Sequence, residues 1–243
     1  MRVNPSGQVS IFTGAAAMGQ GIRTTLAQIC AEQLGIGTEK VTVICGDTVA
    51  APLGLGGFAS RQLVTAGNTV LLASREVAEK AKRLASHMLE VSIDDLELRD
   101  GKVQVKGSDV HVTLAELART LRGAPGYAFP PGLDPMLQSD TKWQTEALAY
   151  SNTSHVVEVE VDADLAHVKI TRYIALQDIG VRVNPMIVEG QVRGGIAHGI
   201  GNALFEQMVY DENGQPLTTT FADYLLPTAP EMPHFETIYR ETP

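Results

Sequence analysis

The 243-residue chain contains only two cysteines, Cys30 and Cys45. They form no Cys-x-x-Cys pair and have no histidines clustered beside them, which argues against a disulfide or a metal site. One falls in a helical pattern and the other in a strand pattern, so both are expected as buried free thiols. No apolar run approaches the roughly 18 residues of a membrane span. The N-terminus also lacks a basic patch leading into an apolar segment. A cytoplasmic protein with no membrane span is therefore expected, and Asn152-Thr-Ser154 reads as a chance match to a glycosylation acceptor. The six histidines stand singly, at positions 87, 111, 155, 167, 198 and 234, and build neither a nucleophile triad nor a metal-ligand set. A Walker A pattern is missing too. Gly54-Leu-Gly-Gly-Phe-Ala59 fails as a dinucleotide fingerprint for want of a preceding strand and a later acid, which leaves a nicotinamide enzyme as a distant reading. The net charge of −9 comes from no single tail. Lysines and arginines are dispersed or interleaved with acids, as in Glu76-Val-Ala-Glu-Lys-Ala-Lys-Arg83, so nucleic acid is not an expected partner.

What remains is a chain that is 44% hydrophobic, enough to bury a real core. Val9-Ser-Ile-Phe12 reads as a strand feeding the glycine turn Gly14 to Gly21. Ile22, Leu26, Ile29, Cys30 and Leu34 then repeat at helical spacing, with Gly35 and Gly37 as the stop, and Val41 to Cys45 is a β-branched strand. Residues 51–67 lack apolar periodicity and read as a long loop, the kind that carries function. A helix over 64–90 follows, its stripe being Val70, Val77, Leu84 and Met88. Asp100-Gly101 sits between alternating runs and predicts a hairpin over 96–105. Thr113 and Glu116 form a capping box for a short helix.

The proline- and glycine-rich piece after Arg122 is the best boundary, giving a first subdomain over 1–122, a linker over 123–148 and a second subdomain over 149–243. In the second, residues 155–161 and 167–176 predict another hairpin. Glu189 to Gly201 packs five glycines ahead of an expected helix from Ile200 to Tyr210, with Ala203, Leu204 and Met208 on one face. This stretch repeats the form of Gly14 to Gly21, a β-run, glycines around a glutamine, then a helix. Helix N-termini of this kind suit anions, and two of them suggest one ligand gripped twice. Gln20, Gln191 and His198 can select a flat heterocycle by hydrogen bonding. The order of hairpins and helices predicts an α+β fold of two similar subdomains, helices on mixed or antiparallel sheets in two-layer sandwiches, and suggests internal duplication.

Taken together, Ala17-Met-Gly-Gln-Gly21, Gly46-Asp-Thr48, Ser60-Arg61, Ala149 to Asp162, Asn184-Pro-Met, Glu189 to Gly201 and Asp223-Tyr-Leu-Leu-Pro227 resemble the molybdenum-binding subunit of the xanthine dehydrogenase, aldehyde oxidase and carbon monoxide dehydrogenase family, in its C-terminal portion. The resemblance implies a molybdopterin dinucleotide, in bacteria usually the cytosine form. It implies contacts from Gly19, Gln20 and Gly21 to the pterin and from Phe58, Ala59, Ser60 and Arg61 to pterin and phosphates. Gln191, Gly195, His198 and Gly199 would hold the rest, and many relatives carry glutamine at the position of His198. The implied activity is oxidative hydroxylation of an aldehyde, purine or N-heterocycle, or oxidation of CO, with water as the oxygen source. The implied partners are the remaining molybdenum-subunit sequence, an FAD-binding subunit and a 2Fe-2S subunit, besides a small-molecule substrate.

The family's base is a glutamate in a Gly-Val-Gly-Glu-Ala-Gly-like motif that follows a segment resembling Glu241-Thr-Pro243. No glutamate here matches that motif. The chain is therefore expected to be inactive alone, as a fragment, a split subunit or a decayed remnant, and to self-associate through exposed apolar surface. A non-catalytic binding or assembly module that keeps the fold is the alternative.

Overall fold

The computed structural model describes residues 1–54, 56–122, 130 and 132–242. Most of the proline- and glycine-rich boundary piece, residues 123–129 and 131, and the final Pro243 lie outside the described residues. The chain divides into two compact units, Met1–Leu148 and Ala149–Pro243.

The first unit begins with β1 (Arg2–Val3), β2 (Val9–Thr13), α1 (Ile22–Leu34) and β3 (Val41–Cys45). β1 runs antiparallel and β3 parallel to β2. α1 buries Ile22, Leu26, Cys30 and Leu34, the i, i+4 stripe that its sequence prescribes. It stops at Gly35, which takes a left-handed φ of 58° while Ile36 donates back to the Ala31 carbonyl, a Schellman arrangement. A side chain at Gly35 would also press on the backbone of Asp100, 3.1 Å from its nitrogen. Burial pushes the Cys30 thiol up to about 11, so it is an inert packing group; Cys45 is only half-buried.

A short π-helical turn (Leu63–Gly67) leads into α2 (Asn68–Leu89). Val70, Val77 and Leu84 are buried with Ala73 and Ala81 between them, but Met88 is exposed. Leu89, the next residue, packs on the core instead. β4 (Leu96–Arg99), β5 (Lys102–Val105) and β6 (His111–Thr113) make a second antiparallel sheet. Asp100 and Gly101, with φ of 52° and 70°, form the tight turn expected of that dipeptide. The Thr113–Glu116 capping box starts α3 (Leu114–Thr120). Leu137 is 1% exposed in this same core, and the Met1 ammonium donates to the Ser139 carbonyl at 2.7 Å. This part of the proline- and glycine-rich stretch thus packs on the first unit.

The second unit holds β7 (Asn152–Asp162), β8 (His167–Asp178), α4 (Pro185–Leu204) and β9 (Phe235–Arg240). β7 and β8 form the expected hairpin, and β9, parallel to β8, is a strand that the sequence reading missed. The order is that of the first sheet: an antiparallel pair, a helix, then a strand parallel to its second member. Matching order and sense satisfy the condition that internal duplication must meet. The core, however, is small. Ala175, Ile196, Ile200 and Phe235 are its buried members, all on the sheet face beneath α4 or on α4 itself. Every residue of β7 is exposed. On the sheet's other face Val156 and Ile238 are 64% and 49% exposed, in register with Ile174 and Leu176. Among the described residues no helix is long and apolar enough to cross a membrane.

Candidate functional site

In the first unit Thr13 and Cys45 are register partners at the C-terminal ends of the parallel strands β2 and β3. The loops that leave them therefore start side by side, at the edge where open parallel sheets bind ligands. Loop 14–21 and loop 46–62 stay in contact. A Cβ on Gly14 would lie 2.0 Å from the Leu53 carbonyl oxygen, and one on Gly57 would meet the side chains of Met18 and Gln62. Gln62, 9% exposed, accepts a hydrogen bond from the Ala16 amide at 2.9 Å. It ties the two loops together and went unnoticed in the sequence. Its signal is only that it follows Ser60-Arg61 directly.

The residues expected to touch a ligand in this unit occupy that loop pair. Gln20 uses its side-chain carbonyl for the Met18 amide and its NH2 for the Ala16 carbonyl, both at 2.8 Å. Its visible role is to shape the loop. Gly19 and Gly21 take φ of 96° and 78°, a region that side chains enter at a cost. Gly21 is the N-cap of α1 without any side-chain cap, so the first N–H groups of that helix face the loop cluster without intrahelical partners. Across the gap the Arg61 guanidinium stacks on the Phe58 ring at 3.9 Å. Ala59 and Ser60 between them both have left-handed φ, 53° and 52°. Non-glycine residues in that region cost about 1–2 kcal/mol each, and such strain concentrates at ligand-binding loops.

The second expected turn is not a turn. Gly190, Gly194, Gly195, Gly199 and Gly201 lie inside α4, and none has a positive φ. The helix begins at Asn184, whose side chain accepts from the Ile187 amide at 3.0 Å, with Pro185 in its first turn. It ends at Leu204, so no helix runs from Ile200 to Tyr210, and Leu204 and Met208 are exposed. Glu189 to Gly201 is therefore no copy of Gly14 to Gly21, and helix-terminus reasoning does not apply to it. The place matching Gly14 to Gly21 in the second unit is the stretch 179–184 between β8 and α4.

Gln191, Gly195 and His198 nevertheless share a face, at i, i+4 and i+7, with Gly199 beside them. All four are exposed, and Cβ atoms on Gly190, Gly194, Gly195 or Gly199 would meet nothing within 4 Å. Gly201 differs, since a side chain there would strike Glu206 and Pro227. The opposite face carries Glu189, Val192, Ile196 and Ile200 toward the sheet. Glu189 accepts from Thr237 at 3.1 Å, and from Tyr239 and Arg193. These donors, Tyr239 first, hold its carboxyl below the usual carboxylate range. Gln191 and His198 have no hydrogen-bond partner among the described residues. Donors, acceptors and bare backbone are thus presented together on one helix face.

Comparison with known proteins identifies the family. The profile of the molybdopterin cofactor-binding domain family matches residues 1–233. The gamma subunit of the 6-hydroxypseudooxynicotine dehydrogenase complex of Paenarthrobacter nicotinovorans is 40% identical over 241 residues, which is 99% of this chain and 30% of that protein. The carbon monoxide dehydrogenase large chain of Hydrogenophaga pseudoflava is 39% identical over 244 residues, 100% of this chain and 30% of its own. The crystal structure of quinoline 2-oxidoreductase from Pseudomonas putida 86 superposes with a TM-score of 0.88 at 38% identity, covering 100% of this chain and 31% of that one. The chain thus spans 30% of the length of these curated relatives. It belongs to the molybdopterin cofactor-binding domain family of the molybdenum oxidoreductases.

Proposed function

We propose that the chain is the molybdopterin-dinucleotide-holding portion of a molybdenum hydroxylase, acting on an aldehyde, a purine, an N-heterocycle or CO. The observation that carries this reading is the open face of α4, where Gln191 and His198 have no hydrogen-bond partner among the described residues and four glycines leave the backbone bare. A planar pterin or a pyrophosphate needs close backbone approach and orienting hydrogen bonds, and Cβ atoms at these glycines would fill the space it requires. The residues present therefore fit the group. Gln191, Gly195, His198 and Gly199 are its contacts in the second unit. In the first unit Gly19, Gln20 and Gly21 face the pterin, while Phe58, Ala59, Ser60 and Arg61 take pterin and phosphate, the Arg61 charge balancing the anion.

When bound, the cofactor supplies the two-electron chemistry that oxidises substrate with oxygen from water. This chain's residues bind and orient it. A general base must lie within hydrogen-bond reach of the proton it takes, and no glutamate here matches the family's base by motif. The base is accordingly assigned to another segment of the enzyme, and no turnover is expected of this chain alone. The complete enzyme combines the remaining molybdenum-subunit sequence with FAD-binding and 2Fe-2S subunits, and the cytosine dinucleotide is the form bound. The exposed sheet face around Val156 and Ile238 is covered in that assembly, and the isolated chain self-associates through it.

The test is elemental and nucleotide analysis of the assembled protein from its host. Molybdenum and cytidine monophosphate in equal amounts support the reading, and their loss in Gln191→Ala or His198→Ala localises it. An intact complex without either would mark the chain as an assembly module. Turnover by the isolated chain, given cofactor and an artificial electron acceptor, would overturn the assignment of the base to another segment.

A further inference from the structure

α4 is a poor helix by composition. Five glycines among its 20 residues each lower its intrinsic stability, so tertiary contacts must decide where it lies and which face it shows. Those contacts are unevenly distributed. Its buried residues, Ile196, Ile200 and Gly201, all lie in the C-terminal half. The N-terminal half, from Pro185 to Gly195, has no buried residue, and Val192 alone reaches the small core as a partly buried neighbour.

Glu189 stands in that half, on the face turned to the sheet. Phe235, Thr237 and Tyr239 alternate along β9 and point to the same side. Phe235 fills the core under the C-terminal half, while the Thr237 and Tyr239 hydroxyls both donate to Glu189. Tyr239 is itself held, since the Arg182 guanidinium lies 4.9 Å from its ring centroid and pairs with Glu241 at 2.7 Å. The carboxylate thus supplies a polar attachment for a helix segment whose apolar contact with the core is limited to the partly buried Val192.

We propose that Glu189 is a positioning residue: it fixes the N-terminal half of α4 on β9 and so sets the direction in which Gln191 and Gly195 face the cofactor. This rests on the cofactor reading given above. Gln191 and Gly195 lie two and six residues further along the same helix, so rotation about the axis at Glu189 is carried directly to both. Arg193 closes the arrangement from within the helix, one turn after Glu189.

Hydrogen exchange on the assembled protein in cofactor-free form, combined with molybdenum analysis of the loaded form, tests this. Glu189→Ala should speed amide exchange across residues 186–195 by tenfold or more and leave 152–178 unchanged. Molybdenum content should fall at least threefold. Glu189→Gln and Tyr239→Phe, which remove the charge or one donor, should give smaller changes of the same pattern and serve if the alanine variant fails to fold. Glu236→Gln, which breaks only the exposed pair with Arg172, should change neither quantity. Unchanged exchange over 186–195 in all Glu189 variants overturns the proposal. So does faster exchange with full molybdenum content. Failure of the cofactor reading shows separately, as full molybdenum content in Gln191→Ala.

Discussion

Replacing Gly195 and Gly199 together by alanine should stabilise the bare chain and weaken cofactor binding. Both residues lie within α4 with helical backbone, and a Cβ on either meets nothing within 4 Å. In such a position alanine is favoured over glycine by roughly 0.5–1 kcal/mol, so the pair should gain about 1–2 kcal/mol. For a chain of this size that raises Tm by about 2–8 °C. Urea unfolding read by far-UV circular dichroism would give the same gain as a higher midpoint at constant slope. The two methyl groups also stand where the cofactor must come closest, so molybdenum content in the assembled enzyme should drop. The opposite signs are what matter, because packing glycines would give a loss in both measurements. Lower stability of the bare double variant, or higher stability with full molybdenum content, would refute the reasoning.

Gly14→Ala should behave differently, since its methyl would sit 2.0 Å from the Leu53 carbonyl oxygen; separating the loops costs roughly 1–3 kcal/mol, visible as a lower Tm and less cofactor. Gln62→Ala leaves the Ala16 amide without its partner and should cost about 1–3 kcal/mol, with cofactor loss larger than for a surface control such as Glu97→Ala. Leu26→Ala removes a fully buried side chain of α1 and should cost about 2–5 kcal/mol in chemical denaturation. The pH dependence follows from Glu189, whose pKa in the folded chain is below its ordinary 4.5. The unfolded state then binds the proton more readily, so the attachment of α4 is complete above about pH 4.5 and is lost as pH falls through the depressed value. Protection over residues 186–195, taken relative to the intrinsic amide exchange rate at each pH, should fall on acidification in the wild type and lose that dependence in Glu189→Gln.

The elements legible in the sequence are those whose local signals agree with their tertiary surroundings. α1 has its stripe and its Gly35 stop, α2 its stripe, α3 its Thr113–Glu116 box, and the β4–β5 hairpin its Asp100-Gly101 turn. α4 went unread because its glycines carry the usual signature of a loop while burial of Ile196 and Ile200 and the Glu189 anchor override their propensity. The better signals were at its start, where Asn184 caps and Pro185 occupies the first turn. β9 escaped because a six-residue strand, half-buried and without a hairpin partner in sequence, shows little alternation. Of the candidate site, the identities on loops 14–21 and 58–61 were legible as glycine and Ser-Arg motifs. The left-handed Ala59 and Ser60 were not, because neither residue type announces a positive φ. Gln191 and His198 were singled out for a terminus that does not exist, and the helix face that joins them emerges only when the register of α4 is known.

The most direct test of cofactor holding is the molybdenum and pterin content of the assembled protein from its host, in the wild type and in Gln191→Ala/His198→Ala. The account predicts stoichiometric molybdenum with an equal amount of released cytidine monophosphate in the wild type, and loss of both from a variant that stays folded and assembled. A wild-type complex that is intact yet holds neither molybdenum nor pterin, or a double variant that keeps both in full, would contradict it.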